Sequence, residues 1–370
     1  MKNTLTFSRN LKRLRKEAGL TRTQLAQKIA YSEKSVEKWE MGGAVPPVAT
    51  VCALAGIFQV SVDTLLMGGN VPIRYYLGID GGGTKTEFSL TDLDGRLLEH
   101  TILGASNPVD IGIENAKQVL RDGIYQVCHN VDLRAVSVYA GLSGGITGNN
   151  QALIAEFLRS LSFGAVGSGS DVDTALQICL QEGDGISLIM GTGIVAFARK
   201  GDQRHRIAGW GYLLDKGGSG YNLGADALDS ALRHIDGRGG SALLLRLIEN
   251  RLGKALVESI APIYRNGKTG ISSFAPLVFE AYRQGDAEAA RILHRNVQEV
   301  CQIISTGCSY FDDAPRVAIC GGLAKQAEVL APIFRQYLPE SVQPEFITEP
   351  SVNGAVALAR RNAETEEKLC

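Results

Sequence analysis

The stretch LGIDGGGTKT, residues 77–86, places three consecutive glycines between an apolar strand and a second, alternating strand. Glycines free the backbone for a tight turn and let amide groups approach phosphate oxygens without a side chain in between. The dinucleotide fingerprint G-x-G-x-x-G fails here because Thr86 stands where it needs a glycine. The Walker fingerprint also fails, and a later GKT sequence has Pro262 where that motif needs its first glycine. The pattern therefore predicts a β-hairpin phosphate loop.

The residues of this loop have separate expected roles in binding a nucleotide. Backbone amides of the glycines, with the hydroxyl of Thr84 and the charge of Lys85, are predicted to contact phosphate oxygens. Asp80 ends the first strand, and we expect it to hold Mg²⁺ through a water molecule. A glycine-rich hairpin without a ligand is the alternative interpretation. The glycines concerned are Gly81, Gly82 and Gly83.

A second stretch, GISLIMGTGIVAFARKGDQRHRIAGWG at residues 185–211, repeats the order of strand, glycine turn, strand, tight turn and strand. The tight turns, Asp94-Gly95 in the first stretch and Gly201-Asp202 in the second, both resemble hairpin turns. Two copies of one unit, in a body where strands alternate with helices, predict two related α/β lobes and a ligand cleft between them. The other nucleotide contacts are then expected at Gly191, Thr192, Gly193, Gly321 and Gly322.

The first 68 residues differ in character from the rest of the chain. They carry ten Lys or Arg against five Asp or Glu, whereas the remainder has an acidic balance. Such charge asymmetry indicates that one part meets a polyanion. Apolar spacing and the candidate caps Thr21 and Ser32 predict five short helices, with a three-residue turn between the second and third. A helical bundle used only for dimerisation is the alternative interpretation.

This head resembles the helix-turn-helix domain of the lambda-repressor or XRE type. The matching residues include Leu25-Ala26, Trp39-Glu40 with Gly42, and Pro46. The resemblance implies that the third helix enters the major groove of double-stranded DNA and that two heads pair on two half-sites. We therefore expect a homodimer that binds an operator. The residues expected to contact DNA are Arg22, Gln24, Glu33, Lys34, Ser35, Glu37 and Lys38.

In the body, the segments LGIDGGGTKT, GASNP, SDVDTAL, IMGTG, GWGYLLDKGGSGYNLG, CGGL and PSVNGAVALA occur in this order. With them the body resembles the actin, hexokinase and Hsp70 class of ATP-binding folds, which have two RNase H-like lobes. Within that class it is similar to the BadF/BadG/BcrA/BcrD-type ATPase family and, in it, to the N-acetylglucosamine kinases. The resemblance implies ATP and Mg²⁺ as cofactors and transfer of the γ-phosphate to the 6-hydroxyl of an amino sugar.

Phosphoryl transfer to a hydroxyl needs a carboxylate that accepts the proton. Asp171 in SDVDTAL matches the family's catalytic base, because Ala175 and Leu176 follow at the expected spacing. Asp173 is the rival, and if a helix starts here the two carboxylates point in different directions. A helix cap is the alternative role for Asp171. By the same resemblance, the sugar is expected to contact Asn107, Gly144, Gly145, Asp171, Gly209, Trp210, Gly211 and Asp215.

Two positions on the sugar side depart from the family pattern. Ile194 stands where the family usually has serine, and Lys216 occupies the place of a usual aspartate, with Asp215 one residue earlier. Two hypotheses stay open. The chain is an amino-sugar kinase that carries a DNA-binding head, or it is a sugar or nucleotide sensor with little or no catalysis that acts as a transcription regulator. The family's iron–sulfur branch is disfavoured, because no cysteine spacing here fits a cluster.

The expected organisation is a DNA-binding head at 1–68, a linker at 69–74, a kinase body at 75–362 and a tail at 363–370. Within the body, lobe one is expected at about 75–170 together with the C-terminal helix, and lobe two at about 171–350. The seven cysteines are scattered, and no segment is apolar enough for a membrane span or a secretory signal. We therefore expect a cytoplasmic protein with reduced thiols.

Overall fold

The computed structural model describes residues 2–67 and 71–369. Residues 68–70, which include the end of the predicted head and the start of the predicted linker, lie outside the described residues, as does the last residue of the predicted tail. The chain divides into two compact units, Met1–Pro72 and Ile73–Cys370. Among the described residues, no helix combines the length and the apolar character that a bilayer span requires.

The first unit is a bundle of five helices around one small core, which confirms the prediction for the head. Thr21 and Ser32 cap the second and third helices, and Gln24 closes a capping box with Thr21. The most deeply buried core side chains are Phe7, Leu11, Leu25, Val36, Leu54 and Leu65. The helices are α1 (Lys2–Glu17), α2 (Arg22–Lys28), α3 (Glu33–Glu40), α4 (Val48–Phe58) and α5 (Val62–Met67).

A buried ion-pair cluster joins three helices of the head. The carboxylate of Glu40, at the end of α3, accepts hydrogen bonds from Arg15 Nε at 2.5 Å and from Arg22 Nε at 2.8 Å. Burial raises the pKa of Glu40, but the two guanidinium groups outweigh burial and hold the pKa of this carboxyl below its usual value. The cluster therefore fixes α3 against α1 and α2.

The second unit contains two five-stranded sheets with the same plan, in which an antiparallel meander of three strands is continued by two parallel strands. The first sheet consists of β1 (Tyr75–Gly81), β2 (Thr86–Asp92), β3 (Leu97–Leu103), β4 (Val136–Leu142) and β5 (Ala165–Gly169), in the order β3-β2-β1-β4-β5. The second consists of β6 (Gly185–Met190), β7 (Ile194–Lys200), β8 (Gln203–Ala208), β9 (Val317–Cys320) and β10 (Glu345–Phe346), in the order β10-β9-β6-β7-β8. The repeated sequence stretches thus form repeated structure, which confirms the prediction of two related α/β lobes.

Helices cover both faces of the first sheet. Leu77 and Ile79 of β1 belong to one core with the helices that follow β3 and β4, whereas the alternate residue Tyr76 packs against the last helix of the chain. The helices of this unit are α6 (Pro108–Ile111), α7 (Ile113–Val127), α8 (Asn150–Ser160), α9 (Asp171–Leu180), α10 (Gly220–Ile235), α11 (Ala242–Leu252), α12 (Ile260–Arg265), α13 (Gly267–Ser272), α14 (Ala275–Arg283), α15 (Ala287–Cys308), α16 (Ala327–Tyr337) and α17 (Val352–Leu369).

Helices α9 and α17 come close to each other and to β4. A Cβ atom on Gly354 of α17 would lie 2.1 Å from the carbonyl oxygen of Thr174 in α9. A Cβ atom on Gly141 of β4 would lie 2.3 Å from the methyl group of the same threonine. Only glycine leaves room for both approaches. Because Gly141 pairs in register with Asp80 of β1, these contacts bring the start of α9 to the end of the first strand.

The predicted tail at 363–370 continues α17 over its described residues. Ala363 is buried in one cluster with Tyr76 and Tyr139 of the first sheet. The last helix therefore packs on the sheet beyond the expected boundary. The mixture of Glu and Lys in this segment suits a solvated helix face as well as a solvated coil, so composition did not separate the two.

Candidate functional site

The loop between β1 and β2 is a tight hairpin, closed by a hydrogen bond from Gly82 N–H to the Lys85 carbonyl at 2.9 Å. A Cβ atom at Gly81 would lie 2.1 Å from Oγ of Ser106, so this approach requires glycine. The buried hydroxyl of Ser106 has no hydrogen-bond partner in the described part of the chain. Beside Gly82, the atom nearest to such a Cβ is 3.7 Å away. The loop therefore presents accessible backbone, as a phosphate loop needs.

The second glycine loop, Gly191–Gly193, follows β6 and lies beside a third glycine loop, Gly321-Gly322, which follows β9. Gly191 N–H donates to the carbonyl of Gly193 at 2.9 Å, and Gly220, the first residue of α10, donates to the carbonyl of Gly191 at 2.7 Å. No described atom outside the turn lies within 4 Å of a Cβ placed at Gly191 or Gly193. Because Ile189 pairs with Cys320, the second and third loops follow neighbouring strand ends. This open backbone at the carboxyl ends of strands is the usual place for a ligand in an α/β sheet.

The two carboxylates of SDVDTAL point in different directions, as predicted for a helix start. Asp173 accepts hydrogen bonds from the backbone and hydroxyl of Ser170, the cap of α9, at 2.8 and 3.0 Å. Its other oxygen lies 2.5 Å from a guanidinium nitrogen of Arg204. Asp171 is the first residue of α9 rather than its cap, and Ser143 hydrogen-bonds its side chain. Asp173 is thus engaged in capping and ion pairing, and Asp171 is the carboxylate near β1.

Asp171 and Asp80 form a half-buried acidic pair beside the first glycine loop. Burial is the main reason that the pKa of Asp171 is raised to about 6, and the charge of Asp80 raises it further. Hydrogen bonds from Ser143 and from backbone amides act in the opposite direction. Burial also raises the pKa of Asp80. A carboxylate whose pKa lies near neutrality is well suited to exchange a proton with a substrate hydroxyl.

Two hydroxyl groups that the sequence did not single out fix the Asp80 carboxylate. Thr174 Oγ1 of α9 lies 3.1 Å from one oxygen and 2.7 Å from the carbonyl oxygen of Asp171, so these two acceptors share its one proton. Ser351 Oγ, just before α17, donates to the other Asp80 oxygen at 2.7 Å. Both residues lie inside motifs that carried the family resemblance, SDVDTAL and PSVNGAVALA. Through these contacts Asp80 connects the end of β1 to α9 and to the residue just before α17.

The surroundings of Asp80 fit a magnesium ion that keeps much of its water. Three or more side chains of the metal-binding types do not cluster anywhere within residues 2–67 and 71–369. Magnesium commonly binds one or two carboxylates together with substrate phosphates and water. Each carboxylate oxygen accepts two hydrogen bonds, so Asp80 retains acceptor capacity beside Thr174 and Ser351. Asp80 and Asp171 both have raised pKa values, so a cation nearby would stabilise their ionised forms.

Asn107 of GASNP caps the short helix α6. Its Oδ1 accepts from Val109 N–H and its Nδ2 donates to Asp110 Oδ2, both at 2.9 Å. A Cβ atom at Gly144, where φ is +71°, would lie 2.4 Å from this Oδ1. A Cβ atom at Gly145 would lie 2.6 Å from the carbonyl of the last residue of β5. The structure thus brings three predicted sugar-side residues together, next to the start of α9.

The segment after β8 folds back on itself through Asp215. One carboxylate oxygen accepts from Gly211 N–H at 2.9 Å and the other from Gly209 N–H at 3.4 Å. Trp210 is 64% exposed. None of the hydrogen bonds in the described part of the protein joins this segment to Asp171. Its four expected sugar contacts therefore stay a prediction.

The two departures from the family pattern have different surroundings. Ile194 is buried in the core of the second lobe, where its side chain packs beside Gly218. Ile194, which directly follows the second glycine loop, therefore serves as a core side chain in this lobe. Lys216 is exposed, and its Nζ donates to the carbonyl of Leu213 at 3.2 Å. Asp215, one residue earlier, is the carboxylate that holds the turn.

Lys85 of the first loop is held by a carboxylate in β2. Its Nζ lies 2.6 Å from Oε2 of the buried Glu87, whose other oxygen is 3.1 Å from Nε2 of His100. Burial raises the pKa of Glu87, but Lys85 and His100 outweigh burial and hold it below the usual value. The expected contact of Lys85 with phosphate therefore requires that Lys85 exchange or share this partner.

Sequence reasoning missed two charged residues at the tip of the first loop. Asp110 of α6 and Lys268 of α13 form an ion pair at 3.5 Å, and both approach Gly83. Lys268 lies in the GKT sequence that fails the Walker fingerprint. The pair is separated by 158 residues along the chain, so no local pattern joins its members.

Several residues expected to contact DNA are engaged within the head. Arg22 donates to Glu37 at 3.1 Å in addition to its bond to Glu40. The side chain of Gln24 accepts from the backbone at the start of α2, and Glu33 accepts from a threonine hydroxyl of α2 at 2.8 Å. These contacts order the turn between α2 and α3, and a role in base recognition for these residues stays a prediction.

Lys34 and Lys38 of α3 are exposed, and Ser35 between them is partly exposed. Ser35 Oγ lies 2.9 Å from Oγ of the helix cap Ser32. The exposed face of α3 thus presents two positive charges, the type of group that contacts DNA phosphates.

Comparisons with known proteins assign both parts of the chain. The sequence profile of the BadF/BadG/BcrA/BcrD ATPase family matches residues 77–358, and the profile of a helix-turn-helix domain matches residues 6–66. The N-acetylmuramic acid/N-acetylglucosamine kinase of Clostridium acetobutylicum is 30% identical over 307 residues, which cover 78% of this chain and 99% of the relative.

Solved structures agree with this assignment. A Chromobacterium violaceum protein named as a candidate N-acetylglucosamine kinase matches with a TM-score of 0.62 at 27% identity, over 78% of this chain and 99% of its own. A ROK family transcriptional regulator, a homologue of the E. coli MLC protein, matches with a TM-score of 0.54 at 13% identity, over 98% of this chain and 96% of its own. The second match is a likeness of fold.

Proposed function

Because the body of this chain belongs to the BadF/BadG/BcrA/BcrD ATPase family, we propose that it uses ATP to phosphorylate the 6-hydroxyl of an amino sugar such as N-acetylglucosamine. The Clostridium relative, which is named for two N-acetylated amino sugars, supports this substrate class. The observation that carries the proposal is Asp171, a carboxylate with its pKa raised to about 6 that lies beside Asp80 at the first glycine loop.

In the proposed reaction, Asp171 accepts the proton of the sugar 6-hydroxyl while that oxygen bonds to the γ-phosphorus of ATP. The bond between this phosphorus and the β–γ bridging oxygen breaks, and ADP leaves with that oxygen. The products are the sugar 6-phosphate, ADP and a protonated Asp171, which returns its proton to water. Protonation of Asp171 removes its repulsion with Asp80, so the acidic pair favours proton transfer.

The glycine loops are proposed to supply positioning and charge stabilisation. Amide groups of the first loop, with Thr84, and those of the second loop, with Thr192, contact the triphosphate. Gly321 and Gly322 lie against the adenosine. Open space beside the second loop's glycines supports this assignment, because a phosphate oxygen needs direct access to backbone N–H groups.

Magnesium is proposed to be held through water by Asp80, with phosphate oxygens as further ligands. When bound, the ion neutralises phosphate charge and favours the ionised form of the nearby carboxylates. Thr174 and Ser351 orient Asp80 for this role through the hydrogen bonds described above.

The sugar is proposed to lie between Asn107 with its neighbouring glycines and the start of α9. Asn107 is only 8% exposed and uses one acceptor and one donor position within α6, which leaves one N–H and one lone pair for a sugar hydroxyl. The segment from Gly209 to Asp215 is proposed to approach the sugar from the second lobe.

A pair of variants tests the catalytic assignment. Asp171→Asn is expected to lower sugar-dependent ATP turnover by about 10²- to 10⁴-fold, because it removes the base. Its ATP affinity, measured by calorimetry, should stay unchanged. Asp173→Asn is the matched control and should retain most turnover, because Asp173 serves the cap and Arg204. Full turnover in Asp171→Asn, or loss confined to Asp173→Asn, would overturn the assignment.

The head is proposed to bind operator DNA as part of a homodimer. A sugar bound to the body is proposed to change this DNA affinity, so that the protein acts as a sugar-responsive regulator. A bound sugar changes DNA affinity only if it binds two states of the body unequally. DNA affinity measured with and without sugar and MgATP tests the link. Identical affinities under all conditions would leave the head a DNA-binding module without sugar control.

A second function, sensing without turnover, is favoured by one observation. Asp215 is engaged with its own turn, and an exposed Lys216 stands where the family has an acidic residue. Under this alternative a sugar raises the melting temperature of the protein but no ATP is consumed.

A further inference from the structure

A lysine from the second lobe reaches the first glycine loop. Nζ of Lys268, on α13, lies 3.5 Å from Oδ2 of Asp110, on α6 of the first lobe. A Cβ atom at Gly83 would lie 3.3 Å from this Nζ and 3.1 Å from the same Asp110 oxygen. The ion pair therefore connects the two lobes at the tip of the loop that is proposed to hold phosphate.

Helix α13 is packed against α10, whose first residue contacts the second glycine loop. A Cβ atom at Gly224 of α10 would lie 2.0 Å from the carbonyl oxygen of Ile271 in α13. Gly220, the first residue of α10, donates to the carbonyl of Gly191 in the second loop. Lys268 is thus connected through α13 and α10 to the second loop, whereas Asp110 belongs to the first lobe.

The two lysines near the first loop differ in how tightly a carboxylate binds them. Lys85 is bound at 2.6 Å by Glu87, whose side chain is 10% exposed and whose pKa is held below its usual value. Asp110 is 41% exposed, lies 3.5 Å from Lys268 and also accepts a hydrogen bond from Asn107. Exposed ion pairs contribute little stability, so Lys268 exchanges its partner more easily than Lys85 does.

We propose that Lys268 binds the terminal phosphate of ATP and that Asp110 is the carboxylate that competes for it. This inference rests on the proposed ATP-dependent function. A lysine at this place neutralises charge on the phosphoryl group that is transferred, which stabilises the transition state of phosphoryl transfer. Because its competitor lies on the other lobe, exchange of Lys268 from Asp110 to phosphate also makes the contact between the lobes depend on the nucleotide.

The difference between ATP and ADP affinity tests this proposal in the full chain with Mg²⁺. Lys268→Ala is expected to weaken ATP binding about 10- to 100-fold, the usual effect of a lost hydrogen bond between charged groups, and to leave ADP binding unchanged. Lys268→Arg should restore most of the ATP affinity, and Asp110→Asn should raise it. Lys254→Ala, at an exposed lysine after α11, is the control and should change neither affinity. Calorimetry provides the measurement.

Equal loss of ATP and ADP affinity in Lys268→Ala would place the lysine away from the terminal phosphate and overturn the proposal, as would unchanged ATP affinity. Lys268→Gln, which keeps the aliphatic stem, decides the matter if the alanine variant does not fold. If the unchanged chain binds neither nucleotide, the proposed function itself fails, and this outcome is distinct from a failure of Lys268 alone.

Discussion

Asp171 and Asp80 lie close together, but different groups surround them. Asp80 is held by two hydroxyl groups from α9 and the segment before α17. Asp171 is hydrogen-bonded by Ser143 and by amides at the start of its helix, and burial dominates its pKa. One carboxylate is thus fixed in place, whereas the other has a pKa suited to gaining and losing a proton near neutrality.

The raised pKa of Asp171 predicts how turnover depends on pH. Only the ionised carboxylate accepts the proton of the sugar, so kcat/KM should rise as the pH rises through about 6 and level off above it. A cation bound beside Asp80 favours the ionised form, so kcat, which reports the nucleotide-bound state, should level off at a lower pH. Initial rates at limiting and saturating MgATP, with sugar in excess, check both profiles. A kcat/KM that stays constant from about pH 5 to about pH 8 would contradict the role of Asp171.

At the residue scale, motif order singled out Asp80 and Asp171 as candidates but not the residues that hydrogen-bond Asp80. Ala175 and Leu176 lie on the same helix as Asp171, so sequence spacing was sufficient to single out this carboxylate as the candidate base. The hydroxyl donors of Asp80 lie 94 and 271 residues away along the chain. Such partners are brought together by the fold, and neither periodicity nor local composition reports them.

At the scale of elements, caps and repeats were the informative signals. Thr21 and Ser32 each accept a hydrogen bond from the backbone of the helix that they begin, which is the physical basis of their prediction. The end of α17 was not predicted, because its helical state depends on the packing of Ala363 against the first sheet. Local chemistry therefore sets where these helices begin, whereas tertiary packing sets where the last one ends.

The buried cluster of the head predicts a strong effect on stability. Glu40→Gln is expected to lower the free energy of unfolding of the head by about 3 kcal/mol, because it leaves two arginines without their buried carboxylate. Glu17→Gln, which disrupts a pair with Arg13 in which both side chains are about half exposed, is the control and should cost less than about 1 kcal/mol. Urea unfolding followed by Trp39 fluorescence, in a Trp210→Phe background, gives both values.

The same cluster predicts a dependence on pH. The folded-state pKa of Glu40 is lowered, so its stabilisation is present above the usual pKa of a glutamate and is lost as the pH falls through the folded value. Glu40→Gln should lose this part of the acid sensitivity. Equal effects of the Glu40 and Glu17 variants at neutral pH would show that the cluster does not hold the three helices together.

At the scale of the whole molecule, the charge of the head predicts how the protein meets DNA. If Lys34 and Lys38 contact phosphates, each change to alanine should weaken binding and reduce the slope of log affinity against log salt by about 1. The probe is a duplex that the unchanged chain selects from a random pool. Lys254→Ala in the body is the control. Unchanged slopes in both head variants would remove these lysines from the DNA contact.

The broad organisation of the molecule followed from its sequence, because a basic helical head, a repeated strand unit and an ordered set of motifs are properties of the chain itself. The choice of sugar did not follow. Asp215, one of the proposed sugar contacts, and Lys216 make their contacts within one exposed turn, and the sequence of this turn does not indicate which sugar it accepts.

The most direct test of the central claim is mass spectrometry of the sugar after incubation with the full chain and MgATP. N-acetylglucosamine, N-acetylmannosamine, glucosamine, N-acetylmuramic acid and glucose form the panel. An amino sugar is expected to gain one phosphate for each ADP released, and Asp171→Asn is expected to abolish this product. If no sugar gains a phosphate while one of them still raises the melting temperature, the body is a sensor and the kinase assignment is wrong.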